Sequence, residues 1–199
     1  DKPVIAVDPV MNYKCRRSAS MWRTTDAVES WSWEGCEGCR TNVIVYAHAQ
    51  RAELYCNGKR IASAKVKECR AVFKKVVYIP GTLSTIVYDE NDRESGRAEL
   101  ISATGKTRIQ LAGDKQVIRS NGQDLCFIEV SLLGENGILK ASADQTLTVQ
   151  VEGAGTLQGF GSAVPNTDEN FINGRYKTYH GRALIVVRAG YATGEIKVT

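Results

Sequence analysis

The stretch that decides the fold is AELYCNGKRIA, at residues 52–62. In it, Asn57 and Gly58 separate two short segments in which apolar and polar residues alternate. An Asn-Gly pair is typical of a two-residue type I′ hairpin, because both turn residues need a positive φ. Alternation with a period of two is the pattern of a strand that buries one face. The stretch therefore predicts two antiparallel strands joined by a tight turn.

Similar short segments, bounded by Gly, Asn, Asp or Pro, occur on both sides of this hairpin and form two series separated near Gly105. Strands at intervals of about 8–12 residues with turn residues between them favour antiparallel sandwiches of immunoglobulin-like size. The predicted fold class is therefore all-β, with two tandem immunoglobulin-like antiparallel β-sandwiches at residues 25–104 and 105–199. The segments are 43–46, 52–55, 71–74 and 85–88 in the first series, and 107–111, 126–132, 147–151, 182–187 and 195–198 in the second.

Residues 1–24 fit neither series. They contain two prolines and a basic cluster made of Lys14, Arg16 and Arg17. We interpret them as a connector that packs against a neighbouring domain. The chain begins with Asp1 and lacks the basic start and apolar core of a signal peptide. This start is interpreted as the cut end of a longer polypeptide.

Composition excludes several classes of protein. The 199 residues are 43% hydrophobic and 24% charged, which is the composition of a folded protein rather than of a disordered or collagen-like one. The net charge is +4 and no dense basic stripe occurs, so we expect no nucleic-acid partner. The longest aliphatic run, at residues 183–187, is far shorter than the roughly 20 residues of a membrane span, so we expect no membrane partner.

The six cysteines are spread unevenly, five of them before residue 105, and the sequence contains no Asn-x-Ser/Thr glycosylation site. Both observations favour a reducing compartment over a secreted disulfide framework, so we expect a cytoplasmic protein. Cys36 and Cys39 have the C-x-x-C spacing of zinc and thiol-exchange sites. A structural zinc site needs four ligands, and Cys56 and Cys69 are 13 positions apart on separate predicted strands. We therefore expect loop thiols, with no metal site and no cofactor.

The two histidines, His48 and His180, lie at the ends of predicted strands and outside any catalytic motif. A surface or turn histidine is the more common explanation for such positions than a general base. The sequence thus offers no catalytic constellation of a nucleophile with its base, a paired set of carboxylates or a metal cluster.

The aromatic cluster is the remaining candidate site. All three tryptophans, Trp22, Trp31 and Trp33, fall within 12 residues, next to Glu29 and Glu34. In an extended segment Trp31 and Trp33 point to the same side and form an apolar platform. Such a platform stacks on a sugar ring or packs against another domain or core. Packing is the interpretation that base rates favour, since buried aromatic rings more often serve packing than ligand binding.

These motifs resemble the β-sandwich that follows the catalytic barrel in bacterial family 2 glycoside hydrolases of the β-galactosidase type, and then the terminal sandwich of the same enzymes. The resemblance covers about residues 25–199 and depends on the order of the motifs. Cys39 and Cys56 depart from the family pattern, so the resemblance assigns these thiols no role. The motifs are ESWSWEGCEG (29–38), VIVY (43–46), AELYCNGK (52–59), PGTL (80–83) and VYD (87–89), then NGQDL (121–125), GAGTL (153–157) and YHGRAL (179–184).

The resemblance implies that the catalytic glutamates belong to a barrel upstream of this chain, so no catalytic residue is assigned here. The parent protein is then a retaining O-glycosyl hydrolase, and this chain alone is not an enzyme. Its implied role is a non-catalytic C-terminal region that supports the barrel, frames the substrate entrance and contributes to contacts in a homo-oligomer. The residues implied to face the barrel or a galactoside are Trp31, Trp33, Trp22 and Glu29.

Two other classes stay open from the sequence. A carbohydrate-binding module would use the same tryptophans as an independent lectin-like surface. An adhesin-like stalk would use the sandwiches as spacers, although the two halves show no sequence repeat.

Overall fold

The computed structural model describes residues 2–10 and 25–199. All fifteen named elements among these residues are β-strands, and every paired strand runs antiparallel to its neighbour. The all-β, antiparallel sandwich class predicted from the sequence is confirmed. The chain divides into two compact units, Asp1–Ala103 (unit 1) and Thr104–Thr199 (unit 2). No helix among the described residues has the length and hydropathy needed to span a membrane.

Unit 1 is built from two antiparallel sheets. Its described strands are β1 (Val4–Val7), β2 (Arg40–Tyr46), β3 (Arg51–Cys56), β4 (Lys59–Lys65), β5 (Arg70–Val77), β6 (Thr82–Tyr88) and β7 (Glu94–Ile101). One sheet has the order β1-β2-β5 and the other has the order β4-β3-β6-β7. Burial alternates along β2 and β6, as expected for strands that face a core on one side. The inward side chains include Val43, Val45, Leu54, Leu83 and Val87.

The hairpin predicted at Asn57-Gly58 joins β3 to β4. Cys56 pairs with Lys59, and the two turn residues have φ values of 49° and 77°. Both values lie in the left-handed region that a type I′ turn requires. The hairpin prediction is therefore confirmed, and it sets the register of the four-stranded sheet.

Residues 1–24 are interpreted from the sequence as a connector, but the part of this segment that the structure describes belongs to the first sandwich. Val4–Val7 form β1, which pairs with β2 from Val4↔Tyr46 to Val7↔Val43. Ile5 and Val7 are buried in unit 1. A strand of four residues beside Pro3 and Pro9 is too short to give a clear alternating pattern, which is why the sequence did not reveal it. The basic cluster at positions 14–17 lies outside the described residues.

Unit 2 has one main sheet and two short ladders. Its strands are β8 (Arg108–Gly113), β9 (Leu125–Leu133), β10 (Thr146–Thr148), β11 (Val151–Gly153), β12 (Gly155–Gly161), β13 (Arg175–Lys177), β14 (Arg182–Ala189) and β15 (Ile196–Val198). The main sheet has the order β12-β14-β9-β8, and β10 pairs with β13 and β11 with β15. The core lies on the inner face of the main sheet and contains Val130, Val149, Phe160, Tyr176, Ala183, Ile185 and Val187.

Candidate functional site

The tryptophan platform predicted from the sequence is not on the surface. Trp31 and Trp33 both have an exposed fraction of 0%. A ring with no accessible surface contacts neither a sugar nor a separate domain, so the prediction that these two side chains face a glycan or a barrel is wrong. Glu29 is exposed, and Trp22 lies outside the described residues.

Hydrogen bonds explain why both indoles stay inside unit 1. The Trp31 Nε1–H donates to the Ile79 carbonyl at 2.9 Å, and the Trp33 Nε1–H donates to the Ser30 carbonyl at 3.3 Å. The Trp31 ring also meets the buried Tyr78 ring edge-on, with centroids 4.9 Å apart and planes at 74°. An indole N–H is buried at little cost only when it has an acceptor. Residues 31–33 are not part of a strand, so the period-two rule that predicted a shared outer face does not apply.

Polar groups near the two indoles also form hydrogen bonds with residues 31–33. The Ser102 hydroxyl donates to the Trp31 carbonyl, and the Tyr78 hydroxyl accepts from the Trp33 N–H at 3.1 Å. The Ala103 N–H donates to the Ser32 hydroxyl at 2.8 Å. The motif at residues 29–38 is thus structural, tying a loop to the end of β7.

The outer face of the main sheet of unit 2 carries a groove with a volume of about 730 Å³. Gly159 pairs with Val186 and Gly161 pairs with Leu184, so two positions of edge strand β12 present backbone without side chains to the floor. Leu184 is 43% exposed beside this floor. The groove is lined by Glu129, Gly159, Phe160, Gly161, Ser162, Ala163, Phe171, Tyr179, His180, Arg182, Ala183, Leu184 and Val186.

Aromatic rings line this groove as well. Phe171 is 51% exposed, and its ring stacks at 5.0 Å on the fully buried Tyr176 ring. Its carbonyl accepts from the Phe160 N–H at 2.7 Å, which fixes the segment along the free edge of β12. The rings of Tyr179 and His180 lie 4.3 Å apart, just before β14 begins. The groove is therefore lined by aromatic rings held by the core and by the turn that precedes β14.

An ion pair supplies the charges of the groove. Arg182 Nη1 donates to Glu129 Oε1, which also accepts from the Ser131 hydroxyl at 3.3 Å. Both charged side chains are about half exposed, at 57% for Arg182 and 47% for Glu129. The His180 imidazole lies 3.2 Å through Nδ1 from the Ala141 carbonyl, and its backbone φ is 51°. His180 thus belongs to the groove, which the sequence did not indicate.

A buried carboxylate organises the outer face of the β4-β3-β6-β7 sheet in unit 1. Glu53 is 6% exposed and accepts from the hydroxyl of Tyr55 at 2.6 Å, from Arg51 at 2.6 Å and from Arg60 at 2.8 Å. Tyr88 donates at 3.1 Å and its ring lies 3.9 Å from the Arg51 guanidinium carbon. The Tyr55 hydroxyl, followed by the arginines, lowers the pKa of Glu53 to about 2, and the same hydrogen bond raises the pKa of Tyr55 to about 12.

This Glu53 cluster was missed by sequence reasoning. The signal was present, because alternation along β3 places Arg51, Glu53 and Tyr55 on one face, opposite Ala52 and Leu54. With every acceptor atom of Glu53 engaged by donors, the cluster acts as a structural clamp between neighbouring strands. It offers no carboxylate for proton transfer near neutral pH.

The C-x-x-C segment forms a turn in which the Cys39 N–H donates to the Cys36 carbonyl at 3.0 Å. Burial, followed by the proximity of Cys39, raises the pKa of the Cys36 thiol, which makes it less reactive. Among residues 2–10 and 25–199, no group of three or more His, Cys, Asp or Glu side chains could hold a metal ion. His48 lies in a shallow depression of unit 1 that also includes Glu68 and Cys69.

Both units match known families. Residues 109–199 match the family model described as glycoside hydrolase family 2 C-terminal domain 5, and residues 38–96 match a domain of unknown function, DUF4982. A glycosyl hydrolase family 2 member from Bacteroides cellulosilyticus DSM 14838 is 31% identical, with a TM-score of 0.83 over 100% of this chain. The chain belongs to the C-terminal domains of glycoside hydrolase family 2. The family resemblance read from the ordered motifs is confirmed.

Further relatives agree with this assignment to family 2. A β-galactosidase of Bacteroides ovatus is 31% identical over 159 residues, which is 77% of this chain. A β-glycosidase from Bacteroides vulgatus, at 18% identity and a TM-score of 0.71, shares the fold. The chain spans 18% of the length of the β-galactosidase and 27% of the length of the Bacteroides cellulosilyticus protein.

Four carboxylates of this family 2 chain, Glu53, Glu94, Asp114 and Asp124, have lowered pKa values, whereas the pKa of a glycosidase general acid is raised. Hydrogen bonds lower the pKa of Glu94 through Arg97, that of Asp114 through the Phe127 backbone and that of Asp124 through the Arg119 backbone. In each case, as for Glu53, the hydrogen bonds stabilise the ionised form of the carboxylate. Their chemistry is that of local structural anchors.

Proposed function

We propose that this chain is the non-catalytic accessory region of a glycoside hydrolase of the β-galactosidase type. It supports a catalytic barrel of the same polypeptide and helps to frame the substrate entrance. The observation that carries the proposal is the match over 100% of this chain to a section that makes up 27% of a family 2 glycosyl hydrolase. The rest of such a protein is where the barrel would lie.

The chemistry of the described carboxylates supports the accessory role. Retaining hydrolysis uses two carboxyl groups about 5 Å apart, one of which holds a proton near neutral pH. Glu53 has a pKa of about 2 and is held by two arginines and two tyrosines, so it stays ionised. Glu53 is therefore not set up to act as a general acid. Glu129 is tied to Arg182.

Exposed apolar positions support a role in packing against a neighbour. On edge strand β8, Ile109 is 58% exposed and Leu111 is 42% exposed, and all six residues of the strand are exposed. Ile109 and Leu111 lie two positions apart on one face of the strand, where burial against another domain or subunit would remove their apolar surface from water. We assign β8 to contact with the barrel or with a second subunit of the parent enzyme.

The test is an assay of the 199-residue chain with a nitrophenyl β-galactoside. We expect a cooperative unfolding transition and no hydrolysis above background. The parent enzyme, assayed in parallel with and without this region, is expected to lose thermal stability when the region is deleted. Measurable turnover by the chain alone would contradict the proposal, and so would a truncated parent with unchanged stability and activity.

A further inference from the structure

We propose that the groove on the outer face of β12, β14 and β9 is a binding site for a neutral saccharide. This inference goes beyond the accessory role and concerns a surface that the tryptophan platform does not include. It rests on the shape of the floor, the rings that line the groove and the unused hydrogen-bonding atoms beside them.

The floor of the groove is shaped by two glycines. A Cβ at Gly161 would lie 2.5 Å from the Phe171 ring, so the absence of a side chain there is what allows the ring to lie close to β12. A Cβ at Gly159 would meet only the Phe171 carbonyl oxygen, at 3.8 Å. Gly159 therefore leaves open space above the sheet that its neighbours do not fill. The resulting volume of about 730 Å³ falls within the roughly 300–1,000 Å³ of small-molecule sites.

The lining suits the two kinds of surface that a sugar ring presents. Its C–H faces are apolar and pack against aromatic and aliphatic side chains, here Phe171, Tyr179 and Leu184. Phe171 is half exposed yet anchored on Tyr176, so its ring is held in place before a ligand arrives. Preorganisation of this kind lowers the entropic cost of binding.

The ion pair between Arg182 and Glu129 offers hydrogen-bond donors and an acceptor to the hydroxyl groups of a sugar. Among the described residues Glu129 Oε2 has no partner, and the Arg182 guanidinium has only the bond from Nη1 to Glu129 Oε1. One acceptor and further N–H donors thus lie side by side, which matches two adjacent hydroxyls that donate and accept. The Ser162 hydroxyl is also buried without a hydrogen-bond partner in the described part of the chain.

The charge of the groove favours a neutral ligand over an anionic one. Glu129 and Arg182 are the only acidic and basic side chains among the groove residues apart from the imidazole of His180. Their opposite charges cancel at close range, so the groove presents no net field that would select a carboxylate or a phosphate. Neutral oligosaccharides are therefore the class that the site fits.

The experiment is an NMR titration of the ¹⁵N-labelled 199-residue chain with lactose, cellotriose and xylotriose, and with digalacturonate as the anionic comparison. We expect saturable shifts of the Gly159 and Gly161 amides with at least one neutral sugar. Absence of saturable shifts with all three neutral sugars would overturn the proposal. So would shifts centred away from the groove, or binding of digalacturonate alone.

Two variants locate the binding. Gly159→Val fills the open space with a side chain that suits a strand, and we expect it to weaken binding at least ten-fold with an unchanged unfolding midpoint. Gln158→Val is the matched control, because Gln158 is the adjacent exposed residue of β12 and does not line the groove. Equal affinity of the Gly159→Val protein and the wild type would overturn the site assignment. The binding result is independent of the galactoside assay, so failure of either proposal is recognised separately.

Discussion

At the scale of single residues, burial decides what the conspicuous side chains do. Trp31 and Trp33 attract attention in the sequence because aromatic pairs often bind sugars, yet both rings lie inside unit 1 with their N–H groups bonded to carbonyls. Glu53 is inconspicuous in the sequence, yet it accepts from four side chains. Arg51 and Tyr55 lie beside Glu53 on its own strand, but Arg60 and Tyr88 come from the neighbouring strands β4 and β6, which the local pattern does not reveal.

Replacement of the buried indole tests this interpretation of Trp31. We expect Trp31→Ala to lower the free energy of unfolding by about 3–5 kcal/mol, because it leaves a large cavity and removes the edge contact with Tyr78. Ile61→Thr, at a position 42% exposed on β4, is the control and should change stability by about 0.5 kcal/mol or less. Urea unfolding measures both, and a small loss for Trp31→Ala would mean that the ring is not a core residue.

The lowered pKa of Glu53 makes the free energy of unfolding of the chain depend on pH under acidic conditions. The pKa of Glu53 falls from an ordinary 4.5 to about 2 in the folded chain, so between these values the unfolded chain binds more protons than the folded one. Stability is therefore fully present above about pH 4.5 and is lost as the pH falls through about 2. We expect Glu53→Gln to lower the free energy of unfolding by about 1.5–3 kcal/mol at neutral pH, as for hydrogen bonds to charged groups.

Unfolding at a series of pH values provides the measurement. The Glu53→Gln chain should lose less stability than the wild type between about pH 4.5 and about pH 2, since the group that takes up the proton is absent. Glu99→Gln is the matched control, because Glu99 is an exposed glutamate of β7 in the same unit. Equal acid sensitivity of the wild type and the Glu53→Gln chain would show that Glu53 is not the titrating anchor.

At the scale of elements, turns hold the sheets in register. The turn between β3 and β4 is reinforced by its own side chain, since the Thr82 N–H donates to Asn57 Oδ1 at 2.8 Å and Asn57 Nδ2 donates to the Pro80 carbonyl at 3.0 Å. One asparagine thus links the hairpin to the turn that precedes β6. The sequence predicted the hairpin because its signal is local, whereas the link to residue 82 depends on strand pairing.

Two glycines near Asn57 allow the cost of backbone strain to be distinguished from the cost of a steric clash. Gly58 has a φ of 77° and open space at its Cβ position, so Gly58→Ala should cost about 1 kcal/mol from backbone strain alone. Gly81 has a φ of 127°, and a Cβ there would lie 2.0 Å from Asn57 Oδ1. We expect Gly81→Ala to destabilise the chain by clearly more than Gly58→Ala. Thermal unfolding of both variants decides this, and the reverse order would refute the packing argument.

At the scale of the whole molecule, each unit has a core of its own. The core of unit 2 lies between the main sheet and the ladders formed by β10 with β13 and β11 with β15. All three tryptophans precede residue 104, so indole fluorescence reports on unit 1, whereas tyrosines occur in both units. Indole fluorescence therefore follows the unfolding of unit 1 within the whole chain.

The isolated segment 104–199 is expected to fold without unit 1, because its buried residues contact one another within that segment. Thermal unfolding followed by circular dichroism should show a single cooperative transition. Tyr176→Ala, which removes a fully buried ring from this core, should lower the midpoint clearly. A segment 104–199 that shows no cooperative transition would contradict an independent core.

The sequence by itself determined the all-β class, the β3–β4 hairpin and the family, because each depends on local alternation, turn chemistry or the order of motifs along the chain. It did not reveal β1, whose four residues form a strand only by pairing with β2. Tertiary structure alone decided that Trp31 and Trp33 are buried, that Arg60 and Tyr88 join Glu53 and that Gly159, Phe171 and Arg182 line one groove. Those properties depend on side chains brought together from distant strands, and local periodicity carries no information about such contacts.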